Sequence, residues 1–381
     1  MTSLDKVVLV VKDGWLEEAV ALTRCLGPKV LRVVKLSKSF RPNTKYYLTK
    51  PVLERVKELV GNDGINKLII YDNLKPRHVF SLMRELKIDV IDKITLILEI
   101  FALHAGSKEA KLQIEMARIM HQLPLIREWI RKVKMREFPG FLGPGAYAID
   151  TYYNHMRRRL ARIRRELREL RLRRARERAR RSRLGYPQVA IAGYTNAGKT
   201  TLFNALTGES KPVGPEMFTT LSPKAKGVYL GDGVKVILVD TVGFIRDIPA
   251  EVIEAFYATL EEISEADLTV LVIDSSDPPY LIKDKVIASL RILSKVGYVG
   301  KPLVIALNKI DLVSSSELSN VRYIVEDVVR REYPWSWYLV EISASKRLNL
   351  SKLAEVMKYI IREHRREKTS LRTEVRASTR A

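Results

Sequence analysis

Hydrophobic and polar positions follow three regimes along this chain. Through residues 1–91, short apolar runs (Val7 to Val11, Val30 to Leu36, Leu68 to Tyr71 and Asp89 to Ile91) are separated by stretches with helical periodicity, Trp15 to Leu26, Pro51 to Val60 and Arg77 to Leu86. Strand-like runs alternating with helical ones predict a small parallel α/β sheet, because parallel strands need crossovers and are covered on both faces. From Asp92 to Arg136 the pattern is helical. Met156, Leu160, Ile163, Leu167 and Leu170 then recur every three or four residues, a narrow apolar stripe on one side of a helix. Such a helix needs a partner along that side only. Pro139-Gly140 and Gly143-Pro144-Gly145 interrupt the pattern between the two stretches. The expectation is an antiparallel helical hairpin with a Gly/Pro tip, its second arm ~40 Å long at ~1.5 Å per residue. In the third regime, the apolar runs Val189 to Ala192, Val234 to Val239 and Pro302 to Leu307 read as buried strands, with helices at Thr201 to Leu206 and near Leu350 to Glu363.

Charge sharpens these boundaries. The net charge of +23 divides into +9 for residues 1–155, +12 for 156–185, −3 for 186–350 and +5 for 351–381. Residues 156–185 hold fifteen arginines against three glutamates. Most charge runs are solvated helix faces or linkers, but this sign bias is too one-sided for intrahelical pairing, and arginine suits bidentate phosphate contacts. The sequence therefore predicts an RNA-binding face carried by Arg157, Arg158, Arg159, Arg162 and Arg165, reading backbone and shape with little sequence preference. No RNA-recognition signature of the aromatic type is evident. The expected organisation is an α/β subdomain (1–91), a helical-hairpin, coiled-coil-like subdomain (92–184), a nucleotide domain (185–365) and a basic tail (366–381).

Composition excludes several classes. No run approaches the twenty apolar residues of a membrane span and no signal-peptide pattern opens the chain, so the expected location is the cytoplasm, without a membrane partner. A lone cysteine, Cys25, excludes an internal disulfide, and the five histidines are scattered.

Four short segments carry the chemistry. Gly193-Tyr194-Thr195-Asn196-Ala197-Gly198-Lys199-Thr200 fits G-x-x-x-x-G-K-[ST] between a strand and a helix that Thr201 enters. Its backbone N–H groups would face phosphates, Lys199 would reach the β/γ-phosphates, and the Thr200 hydroxyl would ligate Mg²⁺. Asp240-Thr241-Val242-Gly243 ends a strand, so Asp240 would act on Mg²⁺ through water and the Gly243 N–H would approach the γ-phosphate. Asn308-Lys309-Ile310-Asp311 suits guanine: Asp311 can accept from N1–H and the exocyclic amine, while the Lys309 stem covers the base. Ser343-Ala344-Ser345 would offer a backbone donor from Ala344 to guanine O6. Each of the last three is common alone; their order is what specifies a guanine-nucleotide switch binding GTP and GDP. Between the first two segments lies Phe218-Thr219-Thr220-Leu221, where Thr220, favoured over Thr219, would complete the Mg²⁺ shell. Lys199, Thr220 and Gly243 are the residues expected to act in hydrolysis.

Two details bear on rate. Phe244 stands where Ras-like enzymes carry a water-orienting glutamine, and Ile245 follows. An apolar ring neither orients water nor takes a proton, so basal hydrolysis should be slow, with the missing group supplied by a partner, ordered backbone or a cation. Asn196 has two open readings: a ligand for a monovalent cation such as K⁺ beside the β/γ bridge, or a loop-stabilising Asx turn.

On these segments the chain resembles the HflX family of ribosome-associated GTPases. The specific carriers are Asp92-Lys93-Ile94-Thr95-Leu96-Ile97-Leu98-Glu99-Ile100-Phe101-Ala102, Lys111-Leu112-Gln113-Ile114-Glu115, Gly143-Pro144-Gly145, Phe218-Thr219-Thr220-Leu221 and Asp240 through Ile245. The resemblance spans about residues 40 to 350. It implies a P-loop GTPase domain of Ras-like fold, preceded by an α/β plus hairpin unit that binds the large ribosomal subunit and acts in ribosome dissociation or rescue. The alternative is an assembly or hibernation factor in which GTP gates RNA binding and turnover is incidental. A monomer is expected. Three departures stand out. Tyr46-Tyr47-Leu48-Thr49-Lys50-Pro51 lacks the Gly-x-Gly-Lys of a possible second nucleotide site. Ala146-Tyr147-Ala148-Ile149-Asp150 replaces the usual acidic and polar residues after the tip. Only a basic tail follows the last helix.

Overall fold

The computed structural model describes residues 6–27, 29–134, 144–183, 185–209, 224–245 and 257–363. Phe218-Thr219-Thr220-Leu221, Pro139-Gly140, Gly143 and the tail 366–381 lie outside them. The described residues form two compact units, the first running to Leu172 and the second from Arg173.

The first unit alternates strands and helices: β1 (Lys6–Lys12), α1 (Leu16–Cys25), β2 (Lys29–Leu36), α2 (Lys50–Asp63), β3 (Lys67–Ile70), α3 (Pro76–Leu86), β4 (Asp89–Asp92) and α4 (Lys93–His104). All four strands are parallel, in the order β2-β1-β3-β4. Helices on a parallel sheet explain why β1 buries five consecutive residues, Val7 to Val11, with no alternation. Asp92 ends β4 and starts α4: its Oδ1 accepts the Thr95 N–H at 2.9 Å, capping the helix, and its Oδ2 lies 3.0 Å from His121 Nε2.

The helical stretch beginning at Asp92 is two helices rather than one. Ala105 turns extended after α4, and Ser107 Oγ accepts the Ala110 N–H as α5 (Lys108–Lys134) begins. Gly106 between them lowers the helix propensity that continuous periodicity concealed. α5 pairs with α6 (Pro144–Arg183) through Leu112, Met116 and Ile119 on one side and Leu160, Ile163 and Leu167 on the other. Lys108 pairs with Glu166 at 3.5 Å and Glu115 with Arg159 at 2.7 Å, so partners descend along α6 as they ascend along α5. The hairpin is antiparallel. Its second arm runs 40 residues, ~60 Å at ~1.5 Å per residue, longer than the stripe suggested. Pro144 is tolerated in a first helical turn, and arginine is a good helix former, so the helix outlasts its apolar seam at both ends.

The second unit contains β5 (Gln188–Gly193), α7 (Lys199–Thr207), β6 (Lys224–Tyr229), β7 (Lys235–Asp240), α8 (Tyr257–Glu265), β8 (Leu268–Asp274), α9 (Pro279–Lys295), β9 (Leu303–Asn308), α10 (Ser315–Glu332), β10 (Trp337–Glu341) and α11, helical over 350–363. The sheet order is β10-β9-β8-β5-β7-β6, parallel except for the β6–β7 hairpin. Both units thus have the expected α/β architecture. Central strands β8 and β9 are buried at every residue, and their acidic and amide residues, Asp274 and Asn308, fall at the carboxyl ends. Asp240, Asp274 and Asn308 end β7, β8 and β9. Among the described residues no helix is long and apolar enough to cross a membrane.

Candidate nucleotide-binding site

The loop from Gly193 to Lys199 leaves the carboxyl end of β5 and enters α7, so the α7 N-terminus and its free N–H groups face the mouth of the sheet. Gly198 takes φ 95°, and a Cβ there would collide with the Asn308 side chain. Glycine is required by both. Lys199 is 7% exposed and donates to the Tyr194 carbonyl at 2.5 Å. Burial lowers its pKa to about 8, against the opposing charge of Asp240. Tyr194 is buried, with Lys285 Nζ over its ring. Asn196 is exposed at φ 64°, a left-handed conformation asparagine tolerates.

The end of β7 is stitched to this loop. Thr241 Oγ1 donates to Ile191 O at 2.7 Å. Tyr194 and Phe244 form a parallel bridge, with Phe244 N–H donating to Gly193 O and Thr195 N–H to Phe244 O, both at 2.9 Å. Phe244 and Ile245 are each 1% exposed. The residue replacing a water-orienting glutamine is therefore a core residue whose backbone zips the second segment to the first. Gly243 sits between them: a Cβ there would stand 2.8 Å from Thr195 Cγ2 and 3.0 Å from Lys199 Nζ. Only hydrogen leaves the approach to the lysine open.

Thr200 Oγ1 donates to Asp240 Oδ2 at 3.3 Å, and Asp240 is fully buried. A hydroxyl and a carboxylate together at a helix N-terminus are hard oxygen donors, the set that GTPases use for Mg²⁺. Thr201 follows in α7, half-buried. Thr220, the expected third oxygen, lies outside the described residues.

Asn308 acts as a strap. Its Nδ2 donates to Ala197 O at 2.8 Å and its Oδ1 accepts the Ala344 N–H at 2.9 Å, so one buried amide joins the first, third and fourth segments. The Ala344 N–H, expected to reach guanine O6, is thus directed at Asn308. Ser343 Oγ accepts the Lys346 N–H at 3.1 Å and lies 3.2 Å from Ser345 Oγ, shaping that loop. Lys309 adopts φ 66° and pairs with Asp274 Oδ2 at 2.5 Å. Asp311 is exposed in the 3₁₀ turn Ile310–Leu312, open to a base edge. Sequence reasoning overlooked Asp274, whose Oδ1 also accepts from Ser276 N and Oγ. The signal was there: an acidic residue ends the apolar run Leu268 to Ile273, in register with Asn308.

Arg157, Arg158, Arg162 and Arg165 are exposed on α6. Arg159 differs. Its Nε and Nη2 each donate to Glu115 at 2.7 Å, a bidentate pair that holds the Glu115 pKa down and commits this guanidinium to the hairpin.

Comparison with known proteins follows this division. Residues 14–102 match the family described as GTP-binding GTPase N-terminal, 104–181 the GTP-binding GTPase Middle Region, and 188–309 the 50S ribosome-binding GTPase family. The chain is 50% identical over 300 residues to GTPase HflX of Hyperthermus butylicus, covering 79% of this chain and 80% of that protein. GTPase HflX of Saccharolobus solfataricus is 41% identical, with 91% and 96% covered. The crystal structure of the SsGBP and GDP complex superposes with a TM-score of 0.55 at 36% identity, covering 95% of this chain and all of that one. A GTP-binding protein from Sulfolobus solfataricus in complex with GDP gives 0.51 at 36% identity, covering 94% and 99%.

Proposed function

The chain belongs to the HflX family of GTPases and hydrolyses GTP, and on that premise we propose that it uses GTP to control docking of its basic first unit on the large ribosomal subunit, with ribosome dissociation as the output. The observation that carries this reading is the exposed arginine face of α6. Arg157, Arg158, Arg162 and Arg165 are exposed, while the opposite stripe is sealed against α5. A cationic face held on a rigid helix meets phosphates without first ordering a chain. The functional modules are the sheet of 1–91, the hairpin of 92–184 and the GTPase domain of 185–365, with a basic tail at 366–381.

In the GTPase domain, Gly193 through Thr201 cradle the phosphates and Lys199 contacts the β/γ-phosphates. Asp311, Lys309 and the Ser343-Ala344-Ser345 loop hold guanine, and Asn308 keeps that loop at its distance from the phosphates. Thr200 and Asp240, the latter through water, together with Thr220, would hold Mg²⁺, which would supply positive charge to the phosphate oxygens. Gly243 N–H meets the γ-phosphate, and departure of that phosphate releases the loop after β7. With Phe244 buried, no side chain at that position orients water. Basal turnover is slow, and the ribosome or a K⁺ ion held by Asn196 completes the site.

GTP hydrolysis measured with and without purified large subunits, in potassium and again in sodium, tests this. Strong stimulation by subunits and GTP-dependent loss of intact ribosomes are expected. No stimulation, with cosedimentation limited to immature subunits, would replace the reading by assembly or storage. Equal rates in the two salts would remove Asn196 as a cation ligand.

A further inference from the structure

Three residues distant in sequence meet at one end of the second unit's sheet. Among the described residues β6 is an edge strand bonded only to β7, and Tyr229 lies directly across from Lys235 in that pair. Lys235 Nζ stands 5.3 Å from the centre of the Tyr229 ring and 5.2 Å from that of Tyr186, just before β5. The lysine stem reaches this position by crossing β6 at Gly227, where a Cβ would stand 2.9 Å from Lys235 Cε. Strand alternation puts Ala225, Gly227 and Tyr229 on one face while Val228 enters the core on the other. Ala225, Gly227, Tyr229 and Tyr186 are all exposed, Tyr229 by 70%. This end of the sheet therefore presents two rings bracketing an ammonium over a flat floor of small residues.

The charges around it are one-sided. Glu209 is held by Lys226 at 3.1 Å, and Asp232 by Lys358 at 2.8 Å and Arg362 at 3.7 Å. These two carboxylates are thus covered by cations, while the Lys235 ammonium faces aromatic rings. Its exposed floor positions, Ala225 and Gly227, offer none of the large aliphatic anchors that a protein interface places at its centre, and Ile237 across from Gly227 is half-buried.

We propose that this platform binds unpaired RNA nucleotides, with bases stacked on Tyr229 and Tyr186 and a phosphate against Lys235. Base stacking on exposed aromatic rings beside cations is how sheets take single-stranded RNA, and it is sequence-tolerant because every base has a π face. The proposal stands apart from the ribosomal reading, since any unpaired RNA meets the same chemistry, and it adds an RNA-binding face to a domain whose overall charge gave no sign of one.

The test uses the full chain with a fluorescein-labelled 12-nucleotide oligouridylate and its 5-bromouridine counterpart. Photocrosslinking followed by peptide mapping should mark Tyr229 or Tyr186. Y229A with Y186A should weaken binding by at least about 30-fold, while Y229F with Y186F retains it, and GTP hydrolysis without RNA stays at the parent rate in both. Crosslinks confined to α6 peptides, or equal affinity for the alanine variant, would overturn the proposal. So would concentration-dependent self-association in sedimentation velocity that Y229A abolishes, because the face would then bind a second copy.

Discussion

Burial and ligand pull Lys199 in opposite directions. Desolvation lowers its pKa to about 8, whereas phosphate oxygens beside it favour the ammonium. A group with a depressed pKa that regains its proton on binding makes affinity fall as pH rises above that pKa. GDP binding should therefore take up a proton at about pH 8.5 and almost none at pH 7. Calorimetry in buffers of different ionisation enthalpy reads this directly, and Lys199→Arg should abolish the uptake. Gly243 offers a second residue-level test. Gly243→Ala places a methyl against Thr195 and Lys199 Nζ, so GTP hydrolysis should fall at least tenfold while GDP affinity changes little. Equal losses for GTP and GDP would mean that the whole loop had been displaced.

At the scale of elements, the α5–α6 hairpin depends on a thin seam. Ile163 is fully buried and Leu167 is 2% exposed, and each such side chain contributes roughly 1.5–3 kcal/mol by burial. Ile163→Ala should cost ~2–5 kcal/mol of the first unit's stability, measured by chemical denaturation. Arg159→Lys keeps the charge but loses the fork that grips Glu115, so its cost, smaller than that of Ile163→Ala, reports the bidentate geometry. The seam was legible as a period of three and four. The break between α4 and α5 was not, because apolar residues continue through it and the turn is made by backbone at Ala105 and a cap from Ser107.

For the whole molecule, the proposed function rests on a basic first unit and on a GTPase domain, residues 185–365, that is itself nearly neutral. Reversing Arg157, Arg158, Arg162 and Arg165 to glutamate should reduce large-subunit binding steeply and flatten its salt dependence by about one in log–log slope for each phosphate no longer neutralised. Hydrolysis without subunits should stay at the parent rate. Ribosome binding unchanged in salt slope would place the RNA-binding surface elsewhere on the chain. The architecture itself was legible: alternating strands and helices read as parallel sheets, and ordered motifs read as a guanine-nucleotide site.

What the sequence determined by itself is whatever local chemistry and periodicity encode: the phosphate loop, the acidic and amide residues at strand ends, the apolar stripe of α6 and the surplus of arginine. Tertiary structure decided which of those groups are already engaged. Only the folded chain directs Asn308 at both Ala197 and Ala344, commits Arg159 to Glu115, turns Phe244 into the core and gathers Tyr186, Tyr229 and Lys235 on one sheet edge. The reason is physical. Motifs and periods are properties of neighbours along the chain, whereas hydrogen-bond partners, burial and the pKa of Lys199 depend on atoms that strand order brings together from distant positions.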